Sequence, residues 1–202
     1  MPYDSESANQ EKEYYSLVEK VFAVLAPFYD AATFMLSGTR KRVVAIANAR
    51  PDARILDVAT GTGKQAFAFA ERGYQVVGVD LSEAMLRVAN RKNKYHNLKF
   101  QTADATKLPF RDDSFDVSCV SFALHDMPPA IRERVLREVA RVTKTDGTIM
   151  IVDYALPTNK LGGFLSYHFV RLYEREYYAR FIRTDLPALL GSVGITIKEE
   201  LE

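Results

Sequence analysis

The chain has 202 residues, enough for one domain with a substantial core and short of the usual length for two. Hydrophobic residues make up 48% and charged residues 26%, which excludes the disordered and membrane-spanning classes of composition. Lys plus Arg total 27 against 26 for Asp plus Glu, so the net charge of +1 offers no general attraction to nucleic-acid phosphates or anionic lipid.

In chain order, Leu17, Val18, Val21, Phe22 and Leu25 recur at three- and four-residue steps from Tyr14 onward, one face of a helix that Pro27 ends. A second helix is expected over residues 41–49, and the turn at Arg50, Pro51 and Asp52 leads into the apolar segment RILDVAT, a buried strand. Thereafter strands at 55–58, 75–79, 98–101, 115–120 and 148–152 alternate with helices at 64–72, 82–93 and 130–144. Ser82 stands at the N-cap position of the second of these helices. QVVGVD and TIMIVD contain few polar residues, as parallel strands covered on both faces require. The single cysteine, Cys119, lies in the run FDVSCVSF and reads as a buried strand residue. From Lys160 to Phe181 the composition turns aromatic, which suggests an inserted or lid helix, and ITIKE near the end reads as a further strand. The expectation is one doubly wound, mostly parallel α/β domain: an N-terminal helical cap over 1–50 and a Rossmann-like core over 51–202, with the aromatic lid at about 160–182.

Residues 57–63, DVATGTG, run from a strand through a glycine-bearing turn into a helix. Gly61 and Gly63 can take positive φ there and let N–H groups face a nucleoside or carboxylate at a helix start. A tight strand-to-helix turn also needs glycine where no ligand binds. Asp80, 19 residues after Gly61 at the end of the second strand, adds a carboxylate able to accept both ribose hydroxyls and to repel a 2′-phosphate. Its structural alternative is a helix-capping aspartate. Asp104 follows the third strand, placed to accept an adenine amine, with the Ala105 N–H beside it. Three successive strand ends thus present a glycine turn, a ribose acid and an adenine acid along one sheet edge.

The stretches FYDAATFMLS, ILDVATGTG, VVGVDLSEAMLRVANRK, ADATKLPFRDDSFDVSCVSFALHDM and REVARVTKTDGTIMIVD make the sequence resemble the class I S-adenosylmethionine-dependent methyltransferases. The similarity is greater to their UbiE-like branch, of ubiquinone and menaquinone biosynthesis, and it covers roughly residues 28–197. It implies S-adenosylmethionine as cofactor, with S-adenosylhomocysteine as product. Asp57, Ala59, Gly61 and Gly63 would line its methionine and ribose end, Asp80 would hold the ribose, Leu81 and Met85 would flank the adenine, and Asp104 and Ala105 would complete the adenine pocket. Ser121 and Phe122 would lie beside the methionine portion, with Tyr29 closing over it. Ala59 replaces a glycine common in the class, as is usual in this branch. Where the branch often reads Phe-Gly-Ile-Arg-Asn, this chain has Phe122, Ala123, Leu124, His125 and Asp126. The resemblance also implies that the chain stops before an antiparallel seventh strand, as a truncated form would, with Leu201 and Glu202 read as a tag remnant.

Methyl transfer from a sulfonium is an in-line displacement that requires alignment and no protein nucleophile. A carbon or hydroxyl acceptor must lose a proton, and His125 has the titration range to take it, its alternative being a polar residue capping the helix near Pro128. The aromatic stretch either walls a pocket for a planar, lipophilic acceptor or packs as core, and His96 and His168 read as surface or packing residues. No metal-ligand spacing and no P-loop occur, so metal and ATP chemistry find no support. Gly61, Gly63 and Ala66 also satisfy the dinucleotide fingerprint of an NAD-dependent oxidoreductase, and a noncatalytic binding module would retain the same pocket. The start, MPYDSESANQ, lacks the regions of a secretory leader and no apolar run reaches about 18 residues, so a cytoplasmic protein acting on a small molecule is expected.

Overall fold

A computed structural model describes residues 5–33, 37–153, 181 and 183–201. The described elements are, in chain order, α1 (Ser5–Leu25), α2 (Tyr29–Ala32), α3 (Ser37–Ala47), β1 (Arg54–Val58), α4 (Lys64–Glu71), β2 (Gln75–Asp80), α5 (Glu83–Lys92), β3 (Leu98–Thr102), β4 (Phe115–Ser121), a 3-10 turn (Leu124–Asp126), α6 (Pro129–Val142), β5 (Thr143–Val152) and α7 (Leu186–Ser192). The five strands form one sheet in the order β3-β2-β1-β4-β5, every pair parallel. Among the described residues, no helix is long and apolar enough to cross a membrane.

Side chains that alternate along each strand divide the core into two layers. Leu56, Val58, Val79 and Val120 pack with Ile131, Val135, Leu136 and Val139 of α6 on one face. Ile55, Val76, Val117 and Cys119 pack with Val43 and Val44 of α3 and Ala66 and Phe69 of α4 on the other. Cys119 is a fully buried free thiol, as its sequence context implies. Because the strands are in parallel register, Val58 pairs Val79 and Val120, Asp80 pairs Thr102, and Ser121 pairs Val152. The carboxyl ends of all five strands therefore share one edge, which switches direction between β1 and β4, where such sheets leave a crevice.

At the opposite edge, Asp116 of β4 accepts from Arg50 Nη2 at 2.8 Å, from the Arg54 N–H at 2.8 Å and from Lys144 Nζ at 2.8 Å. Burial works against its charge, but these donors outweigh it and hold the carboxyl well below the ordinary range. Beside it β5 is irregular: Thr143 pairs Phe115 and Thr148 pairs Val117, five positions against two. Gly147 fits the resulting bulge because a Cβ there would lie 2.8 Å from the Lys144 carbonyl and 2.9 Å from that of Asp116.

Several boundaries differ from the sequence reading. α1 begins at Ser5, since the polar stretch before Tyr14 consists largely of good helix formers that carry no apolar period. Val18 is buried on its inner side, and Phe22 with Ala26 just past its end packs onto Met85 and Val88 of α5, leaving Val21 and Leu25 exposed. α3 starts at Ser37 rather than residue 41. α6 stops at Val142 because Thr143 joins the sheet, its hydroxyl bonded to Ser118 Oγ and the Val139 carbonyl. ITIKE forms no strand: residues 195–200 lie in irregular backbone with no ladder partner among the described residues. Of the expected aromatic lid only Phe181 has its side chain described; the rest lies outside the described residues.

Candidate functional site

The turn after β1 is built from three residues with positive φ: Ala59 (54°), Gly61 (56°) and Gly63 (83°). The left-handed region is strained for alanine by about 1–2 kcal/mol, and such strain concentrates where a backbone must approach a ligand. The two glycines serve different ends. At Gly61 an added Cβ would meet only Tyr29 Cε1 at 4.0 Å, so the backbone here faces open space. At Gly63 it would strike Phe100 Cζ at 2.6 Å and Ala89 Cβ at 3.2 Å, and Gly78 is pressed by the same ring at 2.7 Å. Gly63 thus serves close helix–sheet packing and the left-handed N-cap of α4. The N–H groups expected to face a ligand are both used internally: Gly63 N–H donates to the Thr60 carbonyl at 2.9 Å and Gly61 N–H to Asp80 Oδ2 at 2.7 Å.

Asp80 ends β2 with one carboxylate oxygen on the glycine turn and the other accepting the Ser82 N–H at 2.8 Å. Asp80 is not itself the cap of α5 but organises the entry to it, where Ser82 is the N-cap accepting the Met85 N–H. Burial pushes its carboxyl up, against the N–H groups of Ser82, Gly61 and Leu81. Asp57, in the middle of the sheet, is fully buried. Oδ2 accepts from the Thr60 hydroxyl, whereas Oδ1 has no partner among the described residues, one of two such buried side-chain oxygens, the other being Gln65 Oε1. Burial pushes the Asp57 carboxyl up to about 7, while Thr60 and the Ala66 N–H oppose it. A buried acceptor without a donor is costly, and a ligand bearing an ammonium group would supply what it lacks.

Ala103 N–H donates to the Asp80 carbonyl, which sets Asp104 beside the end of β2. Asp104 Oδ1 accepts twice from Thr106, from its N–H and its hydroxyl at 2.8 Å each, and Oδ2 accepts from Tyr15 of α1 at 2.9 Å. Tyr14, the neighbouring residue of α1, is buried near Asp126, Asp80, Tyr15 and Asp104; burial first and then these groups push its hydroxyl well above the ordinary phenol range. One helix turn thereby covers the edge at Asp80 and Asp104.

α2 closes the other side. Tyr29 packs with Phe22, Ala26, Met85 and Val88 and approaches Gly61. The next residue, Asp30, accepts from the Thr62 hydroxyl at 2.6 Å and pairs with Lys92 at the end of α5 and Lys64 at the start of α4. Burial opposes the Asp30 charge, yet Lys92, Thr62 and Lys64 prevail and the carboxyl lies below its ordinary range.

At the carboxyl end of β4, Ser121 leads to Phe122, another residue with positive φ (54°), whose N–H donates to the Val152 carbonyl at 2.7 Å. The chain then enters the 3-10 turn that carries His125. Its ring is buried: Nδ1 lies 2.6 Å from Asp153 Oδ1, its backbone N–H donates to Asp153 Oδ2 at 3.2 Å, and Nε2 lies 3.6 Å from Asp126 Oδ2. His125 therefore does not cap α6, whose N-cap is Pro128 with no side-chain bond. His96 is exposed.

Asp57, Ala59, Gly61, Asp80, Leu81, Asp104, Ala105, Ser121, Phe122 and His125 all fall at or just beyond the shared carboxyl edge, and Tyr29 reaches it from α2. Met85 is buried beneath Tyr29, and Gly63 faces Phe100. The sequence reading assigns no site role to Tyr14, Tyr15, Asp30, Thr62 or Asp153, whose partners lie far away in the chain, or to Arg132, which holds the carbonyls of Leu124 and Met127. Among the described residues no group of three or more His, Cys, Asp or Glu side chains is arranged to hold a metal ion.

Residues 55–147 match the family described as "Methyltransferase domain". The demethylmenaquinone methyltransferase of Renibacterium salmoninarum is 34% identical over 85% of this chain and 68% of its own length. That of Thermus thermophilus is 32% identical over 90% of this chain and 94% of its own. Other relatives of that name are longer, and the chain spans 62% of the one from Streptomyces avermitilis. Among solved structures, the YcgJ protein of Bacillus subtilis superposes with a TM-score of 0.61 at 28% identity, covering 77% of this chain and 67% of that one.

Proposed function

The chain belongs to the S-adenosylmethionine-dependent methyltransferases, in their ubiquinone/menaquinone-biosynthesis branch, and from that membership we propose that it methylates a small, aromatic, lipophilic acceptor of the quinol type. The observation that carries this reading is the row of acids Asp57, Asp80 and Asp104 at three adjoining strand ends, with a buried oxygen of Asp57 lacking a donor. When bound, S-adenosylmethionine supplies an electrophilic methyl group on a cationic sulfur that departs as the neutral thioether of S-adenosylhomocysteine.

Each residue has a part in that arrangement. Asp57 receives the methionine ammonium next to the backbone of Ala59, Gly61 and Gly63, and Asp80 accepts the ribose hydroxyls. Leu81 and Met85 form the apolar side of the adenine pocket, while Asp104 and the Ala105 N–H address its polar edge. Ser121 and Phe122 border the methionine portion and Tyr29 covers it, excluding water. His125 takes the proton that the acceptor loses. The named acceptor of several relatives, demethylmenaquinone, is the one we assign here, acted on from the cytoplasm.

Titration calorimetry with S-adenosylmethionine, S-adenosylhomocysteine and NAD, followed by transfer of a labelled methyl group to reduced demethylmenaquinone, tests the reading. The first two ligands should bind, NAD should not, and label should enter the quinol. Preferential NAD binding would restore the oxidoreductase alternative; tight S-adenosylhomocysteine binding with no labelled product from any quinol would favour a noncatalytic module.

A further inference from the structure

Asp153 follows β5 immediately and turns both carboxylate oxygens onto one residue. Oδ1 meets the ring Nδ1 of His125 at 2.6 Å and Oδ2 accepts the backbone N–H of the same residue at 3.2 Å. This two-point hold fixes the turn and the rotation of the ring together. Both side chains are almost wholly withdrawn from water, at 4% and 5% exposure. A buried carboxylate needs a compensating charge, and α6 provides one. The guanidinium of Arg132, 1% exposed, donates from Nε to the Leu124 carbonyl at 2.9 Å and from Nη2 to that of Met127 at 3.0 Å, bracketing the turn that holds His125. It also lies over the Phe181 ring, 4.7 Å from the centroid, and that ring packs edge-on to His125. Burial lowers the Arg132 pKa to about 10 and Asp153 pulls the other way, so the cation feels this carboxylate.

We propose that His125, Asp153 and Arg132 form one proton-accepting unit, in which Asp153 is the positioning residue that keeps a proton on Nδ1 and makes Nε2 the accepting nitrogen. Arg132 supplies a standing positive charge close enough to feel the Asp153 carboxyl. The inference rests on the methyl-transfer reading and deepens it. As the acceptor's C–H or O–H bond is replaced by a bond to the methyl group, the acceptor's proton passes to Nε2, and the imidazolium so formed is stabilised by Asp153. Among the described residues, the charged and titratable groups around the imidazole are Asp126 on its own turn, Asp153 beyond β5, Arg132 on α6, which feels Asp153, and, through Asp126, Tyr14 on α1.

Asp153→Asn makes the test sharp. The backbone N–H of His125 can only donate, so it must face the new amide oxygen, which leaves the NH2 group facing Nδ1 and forces the ring proton onto Nε2. Nitrogen-15 spectra of the imidazole should therefore show Nδ1–H in the natural protein and Nε2–H in Asp153→Asn. With the quinol acceptor, kcat should fall by about 10²–10⁴ while the affinity for S-adenosylhomocysteine stays within twofold. The alkaline-rising limb of kcat should move to lower pH as the imidazole loses an anionic neighbour. Asp153→Glu should recover part of the rate. An Nε2–H tautomer in the natural protein, which is read without any variant, overturns the proposal; so does an Asp153→Asn protein with kcat within threefold or an unmoved pH limb. If the natural protein transfers no methyl group to the quinol, the acceptor assignment fails, and the tautomer measurement still decides the proton-accepting unit.

Discussion

Asp57→Asn separates the electrostatic strain of the site from its packing. In the unfolded chain this carboxyl titrates near its ordinary pKa of about 4, and in the folded protein near 7. Between those values the folded state keeps a proton that the unfolded state has lost, so stability falls as pH rises through the window and the loss is complete above about pH 7. Three pH units at 1.36 kcal/mol each bound the effect at about 4 kcal/mol. The carboxyls of Asp30, Asp116 and Glu138 are held low, so their linkage acts below about pH 4 and with the opposite sign.

The amide introduced by Asp57→Asn cannot ionise and removes this residue's share of the slope, leaving that of Asp80, whose carboxyl is also pushed up, at a pH-independent cost of about 1–3 kcal/mol for a buried polar group that lacks a partner. The variant should gain on the natural protein as pH rises from 5 to 8 and draw level with or overtake it at pH 8. About 2.6 kcal/mol of the effect falls between pH 5 and pH 8, so with an m-value of about 2 kcal/mol per molar urea the gap between the two unfolding midpoints should change by about 1.3 M across that range. The chain contains no tryptophan, so the melts are best followed by circular dichroism. Saturating S-adenosylhomocysteine should flatten the natural protein's decline by giving the carboxylate its ammonium partner. Parallel pH dependence in the two proteins would refute the argument that burial leaves this acid frustrated.

Gly78→Ala places a Cβ 2.7 Å from the Phe100 ring and should cost about 1–3 kcal/mol, or several degrees of melting temperature. Adding Phe100→Leu should return part of that loss, and a double mutant no better than the single would show that the ring is not the obstacle. Tyr15→Phe removes a donor to Asp104 and should speed amide hydrogen exchange along α1, with S-adenosylhomocysteine restoring some protection. Unchanged exchange in α1 would mean that the phenol does not anchor it.

The parts of the fold that a reader of the sequence can locate are those governed by local rules. The Ser82 cap, the apolar strands and the DVATGTG turn depend on residues within a few positions of one another, and they lie where propensity and turn chemistry put them. The errors arise where a distant partner decides. Thr143 would continue α6 on sequence pattern, but the hydroxyl of Ser118 draws it into the sheet. ITIKE has the alternation of a strand and lacks a neighbour to pair with among the described residues. The site divides in the same way: Asp80 and Asp104 follow from their place after strands, whereas Asp30 acquires meaning through Thr62, 32 residues on, and Asp153 through His125, 28 residues back. Gly63 must be glycine for its left-handed backbone, as the turn implies, and also for the ring of Phe100, which no local pattern announces.

The ionic cluster of Arg50, Asp116 and Lys144 sits at the amino end of the sheet, opposite the carboxyl edge that carries the acids of the cleft. Lesions at these two poles should leave different traces in a cell. Disrupting the cluster lowers the amount of protein present without altering what each surviving molecule does; disrupting the cleft silences each molecule and, at a buried acid such as Asp57, lowers the amount as well. A growth selection would score the two alike, and only a parallel readout of protein abundance would tell them apart.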